Sequence, residues 1–103
     1  MVEVTVRGFV IKVPDDIARK MIEFEKKCLE AHGVPQIRSR YMGYPGFGRD
    51  EILLVCIQGS GIVASEYIKV PDETVKTLMN AIASRAVRIY DIFQALKKAL
   101  GMA

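Results

Sequence analysis

The chain has no tryptophan, one histidine, two cysteines and four prolines among its 103 residues. Each scarcity excludes something. With His32 as the lone imidazole, and Cys28 and Cys56 outside any CxxC pair, a metal site would need Cys28 and His32 from one helix face, then Cys56 and a fourth group from elsewhere. Cys28 instead fits an apolar seam, and His32 suits the negative end of a helix, so neither a metal nor a cofactor is expected. Ser60 lies between two glycines with no base beside it and reads as a turn residue rather than a nucleophile. The acid pairs Asp15/Asp16 and Asp72/Glu73 stand at helix starts, where capping explains them without acid-base catalysis. No constellation here calls for an enzyme.

Long hydrophobic runs are also missing. The longest, Ile52 to Ile57, falls far short of the roughly 20 residues that a membrane helix needs. The start, MVEVTVRG, carries an acid at position 3 and no basic segment feeding an apolar core, so a cytoplasmic protein without a signal peptide is expected. Both cysteines sit among apolar residues, and free buried thiols are the expected state. A disulfide is the alternative in a hyperthermophile, where intracellular disulfides persist. The few amide side chains and the dominance of Lys, Arg and Glu point towards such a thermophile source.

What is present is half apolar and about a quarter charged, at 50% and 26%, with a net charge of +3. Those values suit a single α+β domain over residues 1–103. The string IKVPD occurs at Ile11–Asp15 and again at Ile68–Asp72. In each case a proline ends a strand by removing a ladder donor, and the acids that follow favour a helix start. Shared punctuation explains the repeat better than duplication, because the flanking residues do not align.

The first segment, VEVTVRGFVIKV, alternates in two phases that switch at Gly8. A bulge within one long strand is expected, in preference to a hairpin at Arg7-Gly8. Ile17, Met21, Phe24, Cys28 and Ala31 then define an amphipathic helix over about 14–32, with Gly33 as its C-cap. A short strand is expected at 36–42. EILLVCIQ and IVASEYIKV follow as a hairpin across Gly59-Ser60-Gly61. Val75, Met79, Ile82, Ala86, Ile89, Phe93, Leu96 and Leu100 form a heptad-like seam without Gly or Pro. It predicts one helix about 40 Å long. The expected architecture is a two-layer sandwich of order β-α-β-β-β-α. An antiparallel sheet of three to four strands would carry two helices on one face, with a long C-terminal helix. Such a helix outruns its own sheet, so Ile82, Ala86, Ile89, Phe93, Leu96 and Leu100 are expected to meet a second copy as a homodimer interface.

The segment EYIKVPDETVKTLMNAIASRAVRIYDIFQALKKAL, within Ile62 to Leu100, resembles the strand-then-helix opening of ribbon-helix-helix DNA-binding proteins. The resemblance implies a strand paired with its twin across a dimer, with Glu66 and Lys69 on the segment that meets DNA. That family has two short helices after the strand, where this sequence predicts one.

The least ordinary stretch is RSRYMGYPGFGR, which gathers three arginines, three aromatics and three glycines. Arg38, Arg40, Tyr41, Tyr44, Phe47 and Arg49 are the candidate nucleic-acid or ligand contacts, since arginine neutralises phosphate and aromatic rings stack on bases. The competing reading has the rings folding back over the sheet edge. A homodimeric, non-enzymatic scaffold or partner-binding module is therefore expected, with nucleic-acid binding as the alternative.

Overall fold

The computed structural model describes residues 1–42 (the Met42 side chain excepted), 46 and 48–102. It is α+β, with three helices and two antiparallel sheets. β1 (Val2–Val6) pairs with β2 (Phe9–Val13). A second sheet has the order β3 (Val34–Arg38), β4 (Glu51–Gln58), β5 (Gly61–Lys69). The helices are α1 (Asp15–Glu30), α2 (Asp72–Ala83) and α3 (Ile89–Ala99). The element order is thus β-β-α-β-β-β-α-α, rather than the expected one. Among the described residues no helix is long and apolar enough to cross a membrane.

The first correction lies at Gly8. Arg7 and Gly8 both take positive φ, 49° and 87°, as a two-residue I′ hairpin turn requires. Folding the chain there places Val2 opposite Val13 and Val4 opposite Ile11. The two phases of the pattern are therefore one buried face folded on itself.

Both IKVPD strings do what their composition dictates. Pro14 and Pro71 sit at the N-caps of α1 and α2 with nearly identical backbones, φ −57° ψ 145° and φ −59° ψ 145°. Each proline carbonyl accepts the first helical bond, from Ala18 and Val75. The two sites meet in space, where Lys12 pairs with Glu73 at 3.2 Å.

The second correction is the long helix, which breaks into α2 and α3. No glycine or proline does this. Ser84 donates to the Ala81 carbonyl at 2.6 Å and accepts from the Ala86 amide at 3.2 Å. Arg85 then takes φ 61°. Asp91 caps α3 by accepting from the Arg88 backbone amide at 3.3 Å, in the manner of a capping box. The turn puts Val87 into the core and leaves Ala86 exposed.

The freed helices close one core. α3 packs on β1, β3 and α1, while α2 packs on β2 and β4. Ile11, Val13, Met21, Ile37, Ile52, Leu54, Leu78, Ile92, Phe93 and Leu96 lose essentially all solvent contact there. Such burial contributes about 1.5–3 kcal/mol for each large side chain.

The third correction concerns the cysteines, which are joined: Cys28 and Cys56 form a disulfide with their Cα atoms 5.6 Å apart. It ties the last turn of α1 to β4. The Gly33 amide reaches the Cys28 carbonyl at 2.9 Å and the His32 amide the Leu29 carbonyl at 3.0 Å, which is a Schellman ending. The left-handed position belongs to His32, at φ 59°, and not to Gly33. Gly33 is glycine for another reason: a Cβ there would collide with the Cys56 sulfur and press on that of Cys28.

Candidate functional site

Arg38 ends β3, half-buried. Arg40 and Tyr41 lie on a single 3-10 turn over 40–42, and Arg49 lies in the turn before β4, all three exposed. Tyr44 and Phe47 fall outside the described residues. Cys28 is spent in the disulfide, so it offers no thiolate to a metal or to a nucleophile beside His32.

Tyr41 is brought to the start of α2, where its hydroxyl donates to Asp72 at 3.1 Å. Asp72 also pairs with Lys76 one turn along, at 3.0 Å. The hydrogen bond from Lys76, assisted by Tyr41 and by the charge of Arg49, holds the Asp72 carboxyl below its ordinary value. Asp72 in turn holds the Lys76 ammonium above its own. From this corner a groove of about 670 Å³ runs along α2, lined by Tyr41, Lys76, Asn80 and Arg85 with Met79 and Ile82. Its volume falls within the usual range of ligand clefts. An aromatic ring, two cations and an amide can together stack on a planar group and neutralise an anion. Asn80 and Arg85 were not expected here, because the sequence pattern put them on the solvated side of one continuous helix.

Of the residues assigned to a helical dimer seam, Phe93 and Leu96 are fully buried in the chain's own core. Ile82 lines the α2 groove, Ala86 is exposed in the turn, and Ile89 and Leu100 are partly buried against the core. The six no longer share a face because the helix that would align them is broken.

A different surface stands out instead. β5 is an edge strand nine residues long. Every residue from Gly61 to Tyr67 is exposed, on both faces of the sheet. Ile62, Val63 and Tyr67 are each more than half exposed. The opposite edge, β3, has five residues and carries Pro35, two of the usual devices that blunt an edge. β5 is interrupted once, by a register shift opposite Cys56/Ile57 that leaves Val63 as the extra residue. From Ala64 to Lys69 it is regular. Two charges, Glu66 and Lys69, guard the whole strand.

No family model matches the chain, and no curated protein or solved structure matches it significantly. The surfaces themselves therefore carry the functional reading.

Proposed function

We propose that the chain is a non-enzymatic partner-binding module that assembles as a homodimer through β5, edge to edge. The observation that carries this reading is the long, exposed, scarcely protected edge of β5, set against the short proline-bearing edge of β3. An unpaired strand edge is a template for another strand, and a second copy brings an identical one. An antiparallel two-fold at Ser65 would align all nine residues, setting Glu66 against Ala64, Tyr67 against Val63 and Ile68 against Ile62. No like charges meet, whereas a two-fold at Glu66 would oppose two carboxylates. The dimer is thus assigned to the strand rather than to the helical seam.

Light scattering tests the assembly. The wild-type chain is expected to have twice its 11.5 kDa mass at micromolar concentration. Ser65→Lys, exposed and harmless in one copy, would set like charges face to face across the two-fold. If pairing slipped by two residues, the new lysine would meet Lys69. The variant is expected to be monomeric, and a monomeric wild type would overturn the reading.

A second reading has an observation of its own, the Tyr41-Lys76-Arg85 groove with Arg40 and Arg49 beside it. It supports binding of a single-stranded nucleic acid, by stacking on Tyr41 with phosphates held by the cations. Such binding is expected to weaken steeply with salt. It is also expected to fall several-fold on Tyr41→Ala or Arg85→Ala. Salt-independent binding, or none at low salt, would sink it. We place the protein in the cytoplasm of a thermophile, since a disulfide in a chain of this composition is compatible with that setting.

A further inference from the structure

α1 buries one carboxylate. Glu25 is 1% exposed, although it lies on a helix whose other charged residues face solvent. Its Oε1 forms an ion pair with Lys97 of α3. Its second oxygen, Oε2, is buried with no hydrogen-bond partner. A charged acceptor left in that state is costly, and native structures rarely leave one without a role.

Glu25 lines a groove of about 430 Å³ that α1, β3 and the start of α3 enclose. The other walls are mainly apolar and half-open: Leu29, Val34, Pro35, Ile89 and Tyr90, with Leu29, Val34 and Tyr90 each close to half exposed or more. Since those walls are open and Glu25 is not, the carboxylate is the deepest polar group of the site. The groove therefore offers an apolar cleft ending in a hydrogen-bond acceptor, the usual construction of a small-molecule or side-chain pocket.

Charge fixes the kind of ligand. Lys97 already offsets the negative charge of Glu25, and Arg88, also on the groove, pairs with Asp91 at 3.7 Å. A cationic ligand would be set beside two cations, and an anionic one beside the carboxylate. What remains unfilled is an acceptor and not a charge. We propose that this groove binds a neutral aromatic group carrying an O–H or N–H donor, of the phenol or indole kind, which inserts its ring between Val34 and Tyr90 and donates to Glu25 Oε2. The site is independent of the strand assembly: β3 and β5 are opposite edges of the sheet, so the groove stays open in the dimer.

The test is an amide-resolved NMR titration with p-cresol and with toluene, which keeps the ring and lacks the donor. The amides of Gly33, Gln36 and Tyr90 are expected to shift saturably with p-cresol. Toluene is expected to bind about tenfold more weakly or worse, since hydrogen bonds to charged groups are worth roughly that factor or more. Glu25→Leu, which keeps an apolar volume and leaves Lys97 free to reach solvent, is expected to abolish the preference for p-cresol. Val34→Trp, at a half-exposed position that does not threaten the fold, is expected to fill the groove and remove both sets of shifts. Saturable p-cresol shifts elsewhere or nowhere, equal affinity for the two probes, or a preference that survives Glu25→Leu would each overturn the proposal.

Discussion

Removing the Cys28–Cys56 bond perturbs the fold in a way whose size follows from its position. The two residues are 28 apart in sequence. Closing a loop of that length removes about 12 cal/mol/K of chain entropy from the unfolded state, or about 3.6 kcal/mol at 25 °C. That is a large share of the roughly 5–15 kcal/mol that stabilises a domain of this size. A loss of this size corresponds to a fall in Tm of about 15–25 °C. Scanning calorimetry of the oxidised protein against Cys28→Ala/Cys56→Ala measures it directly. Gly33 provides the internal check. Gly33→Ala is expected to destabilise the disulfide form strongly, since its Cβ lands on the sulfurs, and to cost far less in the alanine pair, where that space is vacated. A double-mutant cycle reads this coupling. A double alanine variant within about 1 kcal/mol of wild type, or additive Gly33→Ala effects, would refute the reasoning.

Arg85 holds φ 61° at the cost of a side chain in the left-handed region, so Arg85→Gly is expected to stabilise the protein by roughly 1 kcal/mol, seen as a rise in Tm. The Asp72 carboxyl is held below its usual value near 3.8, so its contribution is present at neutral pH and is lost as pH falls through that depressed value. Asp72→Asn is expected to flatten the acid limb of a plot of Tm against pH, and an unchanged limb would remove Asp72 from the account. Lys12 and Lys76 have the opposite sign, since both ammonium groups are raised above 10.5 by Glu73 and Asp72. Their contribution persists through neutral pH and fades only as pH rises past the raised values, which an alkaline melting series would follow.

Much of the fold was legible because strong local signals agree with the tertiary outcome. The Val-Pro-Asp steps place both helix starts. The Gly59-Ser60-Gly61 turn, with Gly59 at φ 62°, and the apolar runs around it place the β4–β5 hairpin. What was missed depended on residues acting against type. Arg7 takes a left-handed turn position that Asn or Gly would have advertised. Ser84 and Arg85 break a helix that the heptad spacing would continue, using a hydroxyl and a strained arginine in place of glycine or proline. The disulfide required knowing that α1 ends against β4, which no spacing within the chain conveys. The candidate loop was visible as composition, but Lys76, Asn80 and Arg85 joined Tyr41 only once α2 was seen to pass beside it. Glu25 carried one faint signal, since it lies three residues after Ile22 and three before Cys28, close to the apolar stripe of α1.

Amide hydrogen exchange along β5 addresses the strand assembly most directly. In an isolated edge strand alternate amides point to solvent, and only every second one is held by β4. Pairing with a second copy would hold the rest. Slow exchange is therefore expected at consecutive residues from Ala64 to Lys69 in the wild type at high micromolar concentration. In Ser65→Lys the pattern is expected to revert to alternating slow and fast. An alternating pattern in the wild type that does not change with concentration would contradict the assembly through β5.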